Sequence, residues 1–284
     1  MPAAFIGHGS PMNALDRNRH TEAWRAFGES IPTPRAVVCV SAHWYINASA
    51  VTAMPAPRTI HDFYGFPREL FAFEYPAPGA PELVGEIAAV VAPTWIGADN
   101  DSWGLDHGTW SVLTHLFPNA DVPVVQLAIN AMKPLQYHFD LGRRLAALRA
   151  SDVLVVGSGN IVHNLGLVDF AAGATGEVWA HRFDDAVRAA LTTDPEQVLA
   201  MDRHHDFDLA VPTADHYIPM LYLAGMAAAR GETAEVLVDG YFGGSLSMTA
   251  YTLGLDATVD AAARQADGAA DPPLPDVPAE ETNL

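Results

Sequence analysis

Cysteine is almost absent from this chain of 284 residues: Cys39 is the only one, which excludes a disulfide framework and a thiolate metal cluster. Positive charge is also scarce. Fifteen Lys and Arg face 34 Asp and Glu, a formal net charge of −19. Such a surface repels a phosphate backbone and an anionic bilayer, so neither nucleic acid nor membrane is expected as a partner. No apolar run approaches the ~20 residues that span a bilayer, and residues 1–12 lack the basic start and long apolar core of a signal peptide. The expectation is a soluble protein of the reducing cytoplasm. Nucleotide signatures are incomplete too. Gly7-His8-Gly9 and Gly157-Ser158-Gly159 each begin G-x-G-x-x-G, yet Met12 and Val162 stand at the final position and no Walker lysine follows. Neither Ser10 nor Ser158 lies in G-x-S-x-G, and no H-E-x-x-H is present, which argues against a serine hydrolase and a helix-borne zinc protease site.

What the chain does have is apolar mass, half of its residues, enough for a sizeable core. The run Ala36-Val37-Val38-Cys39-Val40 reads as a strand covered on both faces, because it is continuously apolar rather than alternating. Ala3–Ile6, Val122–Ile129 and Val153–Val156 read the same way, and Ser245–Thr252 reads as one closing strand. Helical spacing marks residues 21–27, 81–91, 135–148, 177–191 and 220–229. Residues 55–81 hold six prolines among Phe63, Tyr64, Phe66, Phe71, Phe73 and Tyr75, an aromatic loop region suited to one wall of an apolar pocket. The fold expected is α/β, three-layer α/β/α, with a central mostly parallel or mixed sheet in a single domain over 1–255. Residues 256–284 contain seven acids, one arginine and four prolines, too little apolar surface to offset ordering entropy, and are expected to be a disordered tail.

Twelve histidines are the strongest chemical signal. His8, His43, His107 and His163 each fall in a Gly-, Ser- or Asp-containing turn, two of them directly after an apolar strand. His43 is expected at a strand's carboxyl end, where open α/β sheets bind ligands. Imidazoles at converging strand ends point to a metal. Any one of them alone is more often structural. His20, His115, His138 and His181 lie within or beside helical patterns and read as structural, and His204-His205 among aspartates reads as a solvated polar turn.

Six ordered motifs add to this: Gly7-His8-Gly9-Ser10-Pro11-Met12, Ser41-Ala42-His43-Trp44, Thr59-Ile60-His61-Asp62-Phe63, Leu105-Asp106-His107-Gly108-Thr109-Trp110, Gly159-Asn160-Ile161-Val162-His163-Asn164-Leu165 and Asp215-His216-Tyr217-Ile218-Pro219. Over residues 3–254 the chain resembles the bacterial 4,5-DOPA extradiol dioxygenases of the class III, LigB-like superfamily. The resemblance implies that His8 and His43 bind the metal and that His216 stands at the third ligand position, usually a glutamate in the wider superfamily. It implies that His163 is either a fourth ligand or the acid/base beside the metal, and that His107 belongs to the substrate pocket. Trp44, Phe63, Tyr64 and Tyr217 are expected as pocket walls.

An all-histidine set leaves a divalent ion its full +2, which favours a catecholate dianion and also makes a good zinc site. The reading is therefore an extradiol dioxygenase that opens a catechol ring, DOPA-like or related, using O2 and one divalent metal: Fe(II) for turnover, with Zn(II) carried by isolated protein. A zinc hydrolase on the same scaffold, activating a bound water, is the second reading. A metal-storing or ligand-binding protein without turnover is the third.

Overall fold

A computed structural model describes residues 1–255; the segment 256–284, expected to be a disordered tail, lies outside the described residues. The strands are β1 (Ala3–Gly7), β2 (Ala36–Ile46), β3 (Ala50–Thr52), β4 (Gly97–Asp99), β5 (Val124–Asn130), β6 (Val153–Gly159), β7 (Glu235–Val238), β8 (Tyr241–Phe242), β9 (Leu246–Ser247) and β10 (Ala250–Leu253). The helices are α1 (Arg19–Ser30), α2 (Arg68–Phe71), α3 (Leu83–Val91), α4 (His107–Leu116), α5 (Leu135–Leu145), α6 (Val178–Thr193), α7 (Phe207–Ala210) and α8 (Ile218–Arg230). Eight strands form one mixed sheet in the order β4-β3-β5-β2-β6-β1-β10-β7. Its centre, β5-β2-β6-β1, is parallel throughout, whereas β10 pairs antiparallel with β1 and with β7.

The continuous apolar run of β2 has a direct explanation. Ala36, Val38 and Val40 enter a core with residues of α3, α5, α6 and α8, whereas Val37 and Cys39 enter a second core with residues of α1 and α4. With helices on both faces, successive side chains of a central strand are all buried. The layers are therefore α/β/α, as expected. The expected closing strand at 245–252 is two elements: β9 pairs with β8 in a small hairpin, and β10 joins the main sheet.

Helix starts help aim the site. Asp106 caps α4, its side chain accepting the Thr109 N–H, which fixes the direction in which His107 leaves the loop. Pro219 lies in the first turn of α8, directly after the His216 loop. Among the described residues, no helix is long and apolar enough to cross a membrane.

Candidate metal centre and active site

Five histidines meet at the carboxyl edge of the parallel strands. His8 follows β1, His163 follows β6, His107 opens α4, and His216 precedes α8. His43 is not at the end of its strand, as expected, but inside it. Between Val40 and Tyr45, five residues along β2 run against only two along β5, from Leu127 to Ile129. The excess forms an irregularity, and His43 lies in it; bulges of this kind re-aim side chains beside functional sites.

The ring nitrogens are assigned in pairs. His8 Nδ1 lies 2.9 Å from Ser158 Oγ, and that hydroxyl donates to Gly108 O at 2.5 Å. Ser158 therefore accepts from His8 Nδ1–H, which leaves the His8 Nε2 lone pair facing His43 Nε2 at 3.2 Å. His43 Nδ1 stands 3.4 Å from Asp62 Oδ2, and His216 Nδ1 stands 2.7 Å from Asp215 Oδ2. His216 Nε2 is buried and has no hydrogen-bond partner among the described residues. Three imidazoles with Nδ1 facing an oxygen and Nε2 left over suit the donor set of a divalent metal, and the oxygens behind them would fix the tautomer. The residues present fit such an ion.

His107 is the second candidate for the third position. Its donor atoms lie within 4.8 Å of those of His8 and His43. Its ring is packed against His43, 3.8 Å between centroids, and its Nδ1 lies 3.0 Å from Asp62 Oδ1. Its Nε2 is buried with no hydrogen-bond partner among the described residues. The His216 ring centroid lies 5.0 Å from that of His43 and 5.3 Å from that of His8, while His163 stacks face to face on His216 at 3.5 Å.

Electrostatics keep the cluster in ligating form. Burial, then the neighbouring histidines, push His8 and His43 well below the ordinary histidine range, so both rings are neutral at pH 7. For Asp62, burial alone would favour the neutral acid. The pull of the adjoining His107 and the bonds donated by its ring and its backbone N–H outweigh it, and the carboxyl is held below its usual range. Asp215 follows the same logic through His216. Asp106 goes the other way: burial, then the nearby Asp62, raise it to about 6, against the opposing bond from Ser41.

The expected pocket residues part company. Phe63 packs edge-on to His107 with 5.7 Å between centroids, and Tyr64 beside it is 55% exposed. Trp44 stacks parallel to Trp103, and Tyr217 is wholly buried, with its hydroxyl donated to Val198 O and its ring among Phe183 and Phe207. Tyr217 thus sits in the core rather than on a pocket wall. His204, His205 and Asp206 are grouped closely enough for an ion, but Asp206 already accepts two bonds from Arg182, at 2.9 and 2.8 Å. Sequence reasoning missed Asp62, Asp215 and Ser158 as orienting groups. The available signal was an acid directly before a turn histidine, in Asp215-His216, and an Asp beside His61 in a motif already singled out.

Known proteins resemble this chain along nearly all of its described length. Residues 2–250 match the family described as the catalytic LigB subunit of aromatic ring-opening dioxygenase. The chain is 43% identical over 258 residues to the 4,5-DOPA dioxygenase extradiol of Escherichia coli K12, covering 89% of this chain and 95% of that relative. It is 35% identical over 258 residues to the 4,5-DOPA dioxygenase extradiol of Beta vulgaris, covering 87% and 94% respectively. The crystal structure of an uncharacterized protein from Escherichia coli K12 matches with a TM-score of 0.79 at 40% identity, covering 89% of this chain and 100% of that one. These named relatives are dioxygenases and lend no support to the hydrolase reading. A family match across nearly all of the described fold, together with relatives this similar over most of their length, means that the chain belongs to the LigB family and is a ring-opening extradiol dioxygenase.

Proposed function

We propose that this dioxygenase opens the ring of a catechol, DOPA-like or a related aromatic, beside its two hydroxyls, with His8, His43 and His216 holding one divalent metal. One observation supports this most: three Nε2 atoms left over from rings whose Nδ1 atoms are tied to Ser158, Asp62 and Asp215. Fe(II) is the metal of turnover and Zn(II) fits the same donors without redox chemistry. When bound, iron supplies electron exchange between a catecholate and dioxygen.

The chain's own residues then bind, orient and move protons. Asp62 keeps His43 and His107 aligned through contacts of 3.4 and 3.0 Å. His163 takes a proton from a catechol hydroxyl and later returns one, since neutral imidazole has a pKa near working pH. His107 offers its buried Nε2 to the substrate as a hydrogen-bond partner. Phe63 supplies an apolar wall beside it, and Tyr64 stands at the mouth. The compartment proposed is the cytoplasm, on the single cysteine and the acidic surface.

The test is anaerobic reconstitution with Fe(II), followed by DOPA or protocatechuate and oxygen. The expected result is oxygen uptake and a yellow ring-opened product. Absence of uptake with every catechol tried would sink the catechol assignment. A second reading, with His107 in place of His216 as third ligand, is favoured by the closeness of its donor atoms to those of His8 and His43.

A further inference from the structure

Behind the turn that bears His163 lies a carboxylate that the ring chemistry does not touch. Asp184, in α6, is fully buried. Its Oδ1 accepts from Ser247 Oγ at 2.6 Å, and its Oδ2 accepts from Thr249 Oγ1 at 2.9 Å and from the Tyr241 hydroxyl at 3.4 Å. The Arg188 guanidinium approaches only to 3.9 Å. Burying a carboxylate is costly, and an apolar side chain of similar volume would join α6 to its neighbours at less cost. What the carboxylate adds is direction, because hydroxyls converge on two oxygens held in one place.

Ser247 passes that direction on. Its N–H donates to Val162 O at 3.0 Å, and its carbonyl accepts from Asn160 Nδ2 at 2.8 Å. Leu246 beside it forms an antiparallel bridge with His163. Ser245 Oγ donates to Asn164 O at 2.8 Å, and Ser245 O accepts the Asn164 N–H at 3.1 Å. The 245–247 strand is therefore tied to the chain before, at and after His163, and to α6 through Asp184.

We infer that Asp184 is a positioning residue for the dioxygenase reaction: through Ser247 and Thr249 it holds the 245–249 segment so that the His163 ring keeps its place against His216. The inference rests on the proton-carrying role proposed for His163. A double-mutant cycle on the full-length chain, reconstituted with Fe(II), tests it. Asp184→Asn is expected to retain one metal per chain and a near-normal KM for catechol, with kcat lowered about tenfold, the scale of a small misplacement of a reacting group. In a His163→Ala background the same change is expected to cost nothing further, because both act through one ring. General loosening of the fold would lower kcat in both backgrounds. Ser247→Ala removes one link only and is expected to give a smaller kcat loss at constant KM, and it takes the place of Asp184→Asn in the cycle if that variant does not fold. Unchanged kcat, or an equal loss in both backgrounds, overturns the inference. If His163→Ala alone leaves kcat intact, the role of His163 falls first and this inference with it.

Discussion

Gly108 is where the site is most sensitive to a single methyl group. It is the second residue of α4, outside the left-handed region, so the backbone accepts alanine, and alanine favours a helix by about 1 kcal/mol over glycine. The surroundings do not accept it. A Cβ there would stand 2.5 Å from Ser41 Oγ, 2.8 Å from His43 Cδ2 and 3.4 Å from His8 Cε1. Restoring van der Waals distance requires the His43 ring to move by roughly 0.7 Å, several times the ~0.2 Å tolerance of a metal–ligand distance. Overpacking of this kind costs about 1–3 kcal/mol, which matches or outweighs the helix gain. Gly108→Ala is therefore expected to fold with a slightly lowered Tm and to lose stoichiometric metal. Metal analysis after anaerobic reconstitution and desalting, alongside a thermal melt, reads both. A variant that keeps a full equivalent of tightly held metal would refute the convergence of His8 and His43 on one ion.

The choice of third ligand is open to the same metal analysis: His216→Ala is expected to lose tight binding and His107→Ala to keep it, and the reverse pattern would exchange their roles. For His163→Ala, kcat is expected to fall at least about a hundredfold while metal is retained; complete loss of metal would make it a fourth ligand instead. Acid stability has a separate origin in His20 and His138. Burial, reinforced for His20 by Arg19, lowers both to about 4. The folded chain keeps them neutral while the unfolded chain protonates them below ~6.5, so the unfolded state binds more protons and stability falls as pH drops from ~6.5 towards 4. Each contributes about 2 kcal/mol of loss by pH 5. Urea unfolding of the metal-free protein should show a shallower decline between pH 7 and 5 in His138→Gln, and an identical decline would remove His138 from the explanation.

The central strands were legible because burial on both faces writes itself as a continuous apolar run, in Ala36–Val40 and Val153–Val156 alike. His8, His43, His107 and His163 were legible because each follows or interrupts such a run in a turn containing Gly, Ser or Asp, whereas His216 was reached only through the family resemblance. What could not be read was direction. Trp44 and Tyr217 each neighbour a cluster histidine in sequence, yet both turn away into packing: Trp44 because successive side chains of a strand point to opposite faces, Tyr217 because the turn into α8 has already taken helical dihedrals. Asp62 likewise looked like any loop acid until two histidines were seen on its two oxygens. The bulge at His43 left no trace either, since Ser41–Trp44 contains neither Gly nor Pro. The split of residues 245–252 between a hairpin and the main sheet depends on partners far away in the chain.

Those two missed acids change the charge argument. Counting ligands alone, three neutral histidines would leave a divalent ion at +2 where a glutamate ligand would leave +1. Asp62 and Asp215 stand behind His43 and His216, each held ionised and each across one imidazole from the Nε2 that would face the ion. Unit charges about 6 Å apart interact by roughly 3 kcal/mol at an effective dielectric of 20, so two such carboxylates offset much of the excess. With His216 as third ligand, as proposed, the carboxylate charge that the wider superfamily usually carries at that ligand would be kept one residue back, at Asp215, acting through the ring it orients. A full catecholate dianion then gains less from this site than the ligand count implies. On the proposed function, a catechol that keeps one proton close at hand would be the better match, with His163, stacked at 3.5 Å on His216, as the neighbouring group proposed to hold that proton.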